Sequence, residues 1–152
     1  MELNLPQYNF KTKTRQGKQL IFCSLRKKYV ALTPEEWVRQ HFVAFLLQKK
    51  GFPVSLMINE HHISLNNTKK RCDTVVFLSS GKPVMIVEYK APSVAVTQEV
   101  FDQIARYNIK LRVQYLIVSN GLQHYCCRVD YDTMTYEFLP DIPSYAELAK
   151  DL

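Results

Sequence analysis

Arg71-Cys72-Asp73-Thr74-Val75-Val76-Phe77-Leu78, then Ser79-Ser80-Gly81-Lys82-Pro83, then Val84-Met85-Ile86-Val87-Glu88-Tyr89-Lys90-Ala91-Pro92 is the stretch from which the fold is read. It predicts two apolar strands joined by a tight turn. Val75 and Phe77 alternate with Val76 and Leu78, and Met85 and Val87 alternate with Ile86. Strands apolar on both faces belong in the middle of a sheet covered on both sides. A turn at Ser79 to Lys82 that pairs Leu78 with Pro83 sets Asp73 opposite Glu88, with Cβ atoms about 4.5–5.5 Å apart. Side chains alternate along a strand, so Glu88 and Lys90 share a face. Two carboxylates and an ammonium thus converge where two apolar strands end. That composition suits a divalent cation and the hydrolysis of a phosphodiester.

Thr33-Pro34-Glu35-Glu36, ahead of this hairpin, starts a helix: Thr33 caps it and Pro34 fits the first helical position. Trp37, Val38, Phe42, Phe45 and Leu46 recur at helical spacing, and Lys49-Lys50-Gly51 ends the run, which predicts a helix over 34–50. Glu36, three residues after the cap, is either the partner in a capping box or a carboxylate near a metal, and Glu35 competes for both roles. Residues 1–17, with Lys11, Lys13 and Arg15 among threonines, read as a basic arm or edge segment, either a solvated tail or an arm that contacts phosphates. Gln19 to Cys23 predicts a short strand, and 26–30 either a solvated basic connector or, with Tyr29 beside its cations, a contact to a nucleic-acid backbone. Val54 to Ile58 predicts another short strand, and His61 through Lys70 a polar, turn-rich segment.

Beyond the hairpin, Val100, Phe101, Ile104 and Leu111 mark the buried stripe of a helix over 98–111, with Gln103 and Tyr107 one turn apart. Val113 to Val118 predicts a strand closed by the turn Ser119-Asn120-Gly121. Tyr125 to Val129 and Thr135 to Leu139 predict a further hairpin, and 143–148 a last helical turn. The strand–helix–strand unit built on 84–90, 98–111 and 114–119 calls for parallel outer strands, hence a mixed sheet flanked by helices.

At 152 residues the chain is expected to form one domain with a real core, and its hydrophobic content argues against disorder. It has no run of eighteen apolar residues and no basic-then-apolar leader, so a cytoplasmic protein away from membranes is expected. Cys23, Cys72, Cys126 and Cys127 form no spaced framework, which predicts free, partly buried thiols. No Cys-x-x-Cys pair accompanies His61, His62 and His124, and this argues against zinc. The net charge of +6 favours a polyanionic partner, nucleic acid above all.

Magnesium prefers oxygen ligands and keeps several waters, so one or two carboxylates suffice to hold it. Asp73 and Glu88 meet that need, and the backbone carbonyl of Tyr89 is a third candidate ligand. Lys90 is placed to orient or deprotonate an attacking water, or to stabilise charge on the phosphate. The bland alternative is a surface ion pair.

Asp73 followed by Glu88-Tyr89-Lys90 resembles the catalytic signature of the PD-(D/E)xK nuclease superfamily. Five stretches together resemble the N-terminal nuclease domain of type I restriction enzyme R subunits. They are Leu32-Thr33-Pro34-Glu35-Glu36-Trp37-Val38-Arg39-Gln40, Lys70-Arg71-Cys72-Asp73, Val87-Glu88-Tyr89-Lys90-Ala91-Pro92, Gln103-Ile104-Ala105-Arg106-Tyr107-Asn108 and Ser119-Asn120-Gly121. The resemblance covers 26–145. It implies an α/β fold with a restriction-endonuclease-like core of α-β-β-β-α-β order, here followed by an extra C-terminal β-hairpin. It further implies metal held by Asp73 and Glu88, a catalytic lysine at Lys90, and assisting side chains at Glu36 and Gln103. Tyr107, Arg71, Lys70 and Arg39 are its candidates for contacting DNA. Magnesium, with manganese as a substitute, is the implied cofactor and DNA the implied substrate.

Full R subunits continue into an ATP-driven motor, whereas this chain has no Gly-x-x-x-x-Gly-Lys-Ser/Thr loop and so no ATP site. A freestanding nuclease is therefore expected, or one working with a separate helicase or methyltransferase subunit, and an oligomer is compatible with either. Two rival readings are a nucleic-acid-binding module that keeps the fold without catalysis and a subunit used for assembly.

Overall fold

The computed structural model describes residues 2–65 and 68–150, apart from the side chains of 63–70. The first 31 residues hold a small antiparallel sheet, β1 (Thr12–Arg15), β2 (Lys18–Cys23) and β3 (Lys28–Ala31), in that spatial order. The expected arm is thus partly an edge strand, and most of the expected connector at 26–30 is a strand paired to β2. A hairpin of alternating Lys and Thr leaves little apolar signal, so the pairing partner decides the conformation.

Helix α1 (Pro34–Gln48) follows, capped by the Thr33 hydroxyl, which accepts the Glu36 N–H at 3.0 Å. It stops before Gly51, whose φ of 70° suits only the left-handed region that glycine enters freely. After a 3-10 turn at Val54–Leu56 come β4 (Met57–Leu65), β5 (Thr68–Phe77) and β6 (Pro83–Tyr89). The segment 61–70, expected to be turn-rich, is instead largely the outer half of a long β4–β5 hairpin, with residues 66–67 outside the description. Backbone pairing has overridden the weak β propensity of its polar residues. Then follow α2 (Gln98–Ile109), β7 (Tyr115–Ser119), β8 (His124–Asp130), β9 (Thr135–Leu139) and α3 (Tyr145–Lys150).

The six strands β4 to β9 lie side by side in chain order, all antiparallel except β6 with β7, which run parallel through the α2 crossover. Both faces of the central strands are covered. One face, with Val76, Met85, Val87 and Ile117, packs against Val38, Phe42 and Leu46 of α1. The other, with Val75, Ile86, Leu116 and Val118, packs against Phe101 and Ala105 of α2. All four cysteines are free and buried. Among the described residues no helix is long and apolar enough to cross a membrane.

A buried polar tie joins the small sheet, α1 and the large sheet. Glu36, 5% exposed, does not turn back to close a capping box. Its Oε1 accepts Arg39 Nη1 at 2.5 Å, and its Oε2 accepts Arg26 Nη2 and Gln40 Nε2, each at 2.7 Å. Arg26, from the turn between β2 and β3, also reaches Glu60 of β4 at 3.2 Å. Burying such a carboxylate is tolerable only because it is paired, and removing one partner from a buried pair costs about 3–5 kcal/mol. Glu36→Ala is accordingly expected to destabilise the protein by about that amount in urea unfolding. Glu35→Ala, on the exposed side of the same turn, should stay within about 0.5 kcal/mol.

Candidate active site

The ladder between β5 and β6 ends, towards the hairpin's open side, at the pair Thr74 and Val87. One step further the two strands part. The Tyr89 N–H donates to Asp73 Oδ2 at 2.9 Å, so a side chain takes the bond that a backbone carbonyl would have taken. Extending the ladder by one pair sets Asp73 opposite Glu88, as the sequence predicts, though by a different route. The turn pairs Phe77, not Leu78, with Pro83, and an irregularity between Val76 and Phe77 shifts the register by one. The bulge restores the offset before the strands reach the carboxylates.

Tyr89 anchors this end from below. Its buried hydroxyl lies 2.8 Å from Thr74 Oγ1, which donates to Asn59 Oδ1 at 2.7 Å, and burial pushes the phenol well above its usual range. Phe42 of α1 meets the Tyr89 ring edge-on at 5.9 Å. Arg39, 5% exposed, lies 5.5 Å above the same ring, and its Nη2 reaches Asp73 Oδ1 at 3.3 Å. Its Nε is buried without a partner. The guanidinium is held charged by Glu36 first and Asp73 second, against the cost of burial.

Glu88 is 8% exposed and alternates with Tyr89 onto the opposite side of β6. Lys90, half-buried, donates its backbone N–H to Ser119 O at 2.8 Å and so prolongs the parallel pairing with β7. The Ser119-Asn120-Gly121 turn then fixes the loop after Lys90. Asn120 Nδ2 donates to Val94 O at 2.8 Å, while its Oδ1 accepts the N–H groups of Leu122 and Gln123.

The α1 carboxylate whose charge is felt by these groups is Glu35. Loss of surrounding water, then repulsion from Asp73, raises its pKa, while Arg39 and Lys90 pull it back. Both oxygens of Glu36 are taken up in the polar tie. Arg39 lies inside the protein, paired with Glu36 and Asp73. Arg71 is 57% exposed in its side chain and pairs with Glu60 at 2.6 Å. The side chain of Lys70 lies outside the described residues. Gln103 and Tyr107 are exposed on the face of α2 turned away from Phe101 and Ala105. Among the described residues, no hydrogen bond or ion pair joins Gln103 to Asp73, Glu88 or Lys90.

Sequence reading gives Glu60 no role and offers Arg26 only as part of the basic stretch 26–30, yet both belong to the charge network that carries Arg39. Glu60 accepts from Arg26, Arg71 and, at 3.9 Å, Arg39. Its cationic neighbours hold its pKa down despite partial burial. It is the one acidic residue between Glu36 and Asp73, and a lone acid in that basic span was the available signal.

Among the described residues no group of three or more His, Cys, Asp or Glu side chains is arranged to hold a metal ion. Two hard-oxygen side chains, Asp73 within β5 and Glu88 near the end of β6, stand just past the last pair of the β5–β6 ladder. That donor set fits a magnesium ion, which retains waters and needs one or two carboxylates.

Residues 34–143 match the family described as Type I restriction enzyme R protein N terminus. No curated protein matches the chain. Among solved structures, the chain is similar to a fragment described as an HsdR subunit of a type I restriction enzyme from Vibrio vulnificus, with a TM-score of 0.54 and 21% identity. The similarity covers 78% of this chain and 25% of that one, so the chain spans about a quarter of its relative's length. At that identity it is a likeness of fold: a mixed sheet with helices on both faces. Because the family match extends over most of its length, the chain belongs to the type I restriction enzyme R protein N-terminal family.

Proposed function

We propose that the chain is a magnesium-dependent endonuclease acting on DNA, with a core of the PD-(D/E)xK type. The observation that carries this reading is the end of the β5–β6 pairing at Thr74 and Val87, just past which stand Asp73, within β5, and Glu88, near the end of β6, two residues before Lys90. Family membership and the element order α1-β4-β5-β6-α2-β7 support it.

Asp73 and Glu88 are the residues that would hold the cation, with the Tyr89 carbonyl as a further oxygen and Glu35 as the nearby charge from α1. When bound, the cation supplies neutralisation of the phosphate and an acidified water. Lys90 would orient an attacking water or stabilise negative charge on the phosphate, and the bond from its backbone N–H to Ser119 O holds its backbone in place. Arg39 balances the Asp73 charge from inside the protein, so Asp73 need not be left as an unpaired anion. The implied role of Gln103 is substrate contact from α2, and Tyr107 shares its exposed face.

Cleavage of plasmid DNA in magnesium or manganese tests the reading. Asp73→Asn and Lys90→Ala should each lower the rate by about a hundred- to a thousandfold, with the thermal melt little changed for Lys90→Ala and lowered for Asp73→Asn, which takes a partner from buried Arg39. Absence of cleavage by the wild type on every DNA form would overturn the assignment. The pairing of Asp73 with Arg39 favours one rival, a binding module without catalysis. Calorimetric titration of magnesium separates the two, since the nuclease reading requires heat of binding that Asp73→Asn removes.

Glu35 provides a check without turnover. Its carboxyl, followed by NMR, should titrate above the usual glutamate range, because loss of surrounding water and, second, repulsion from Asp73 both disfavour its charge. Asp73→Asn removes that repulsion and should move the midpoint down. An unmoved midpoint would separate Glu35 from the site.

A further inference from the structure

We propose that the outer face of the small sheet β1–β3 is a phosphate-binding platform that grips nucleic acid beside the strand-end site. The inference rests on the nuclease reading for its choice of polyanion, but its observations are separate. The platform also lies outside residues 34–143, the part matched by the family.

The chain's charge is concentrated here. Residues 3–34 hold seven Lys and Arg and no Asp or Glu, while the remainder of the chain holds thirteen basic and fourteen acidic residues. The whole net positive charge therefore belongs to this segment. The strand register sorts its side chains. Lys13 pairs with Leu20, Arg15 with Lys18 and Phe22 with Tyr29, so these residues share one face. Ile21 and Cys23, fully buried, point to the other.

The outer face thus carries Lys13, Arg15 and Lys18 around two aromatic rings. Lys13 Nζ sits 4.0 Å from the centroid of Tyr29, and Phe22 meets Tyr29 edge-on at 5.3 Å. Among the described residues no carboxylate pairs with Lys13, Arg15 or Lys18. Cations without acidic neighbours, set among rings on an exposed sheet, are the chemistry of a surface that tracks a nucleic-acid backbone. Three of the segment's seven cations, with no acidic residue among them, stand together on this one face.

The platform is also fixed relative to the site. Arg26, in the turn from β2 to β3, binds Glu36 at 2.7 Å and Glu60 at 3.2 Å, and Arg39 links Glu36 to Asp73. Lys27 follows Arg26 in the same turn and is exposed, while Lys28 begins β3 opposite Cys23, on the other face. A strand bound on the sheet would therefore be held by the element whose turn is locked to the helix at the site.

The test measures binding in EDTA, without cleavage, by fluorescence anisotropy of a labelled DNA duplex and its single strand over a range of salt concentrations. The variant K13A/R15A/K18A should bind more weakly, and the slope of log K against log salt should fall by about 3 for duplex or about 2 for single strand. The control K49A/K110A/K150A removes the same charge elsewhere and should leave the slope within about one contact of wild type. Thermal melts check that both variants fold, which is expected because all six side chains are exposed. Equal slopes for wild type and K13A/R15A/K18A, or an equal loss in the control, would overturn the proposal. So would wild-type binding to vesicles of phosphatidylserine and phosphatidylcholine in the absence of DNA binding. Inactive enzyme with a normal salt slope would count against the nuclease reading alone.

Discussion

Where β5 and β6 separate, the N–H of Tyr89 finds a carboxylate instead of a carbonyl. A buried backbone donor must be satisfied, and here satisfying it fixes a side chain where the sheet opens. The requirement accounts for much of the local sequence. Asp73 has the short side chain that can reach across the gap. Thr74 and Tyr89 support the strand from the α1 side through a chain of hydrogen bonds that runs through Asn59 to Cys23 Sγ. The apolar runs before them bury both sheet faces, so the polar residues emerge only where the ladder has ended.

The same corner concentrates charge. Arg26, Arg39 and Arg71 interleave with Glu36, Glu60 and Asp73, and two of the six, Glu36 and Arg39, are almost wholly buried. Desolvation of each charge is offset only by the presence of the others, so the group acts as a unit. That coupling holds α1 at a fixed distance from β5. It also explains why adjacent glutamates at the start of one helix differ: Glu36 faces inward to the arginines, and Glu35 faces the strand ends.

Much of this was legible in the sequence. The Thr33-Pro34 start, the Gly51 stop and the two-sided apolar pattern of Val75 to Val87 specify α1 and the sheet centre through local chemistry alone. The opposition of Asp73 and Glu88 was reached by a turn pairing one residue out, which the bulge beside Phe77 compensates. Choosing between Glu35 and Glu36 was beyond the sequence, because both lie in the first turn and only the position of Arg26 decides which one turns inward. The polar strands of the small sheet and the outer half of β4 and β5 were missed for a related reason. Their residues prefer no conformation strongly, and pairing with a partner supplies what propensity does not.

The four cysteines have a consequence of another kind. Each is at most 4% exposed, one in the small sheet and three in the large one, and none is bonded to another. Burial pushes Cys126 and Cys127 up to about 12, which leaves their thiols protonated at neutral pH. The folded surface is thus silent to thiol reagents. Because the thiols are distributed over both sheets, reagent uptake at each one reports the opening of its own neighbourhood, and the chain carries an internal gauge of which part loosens first.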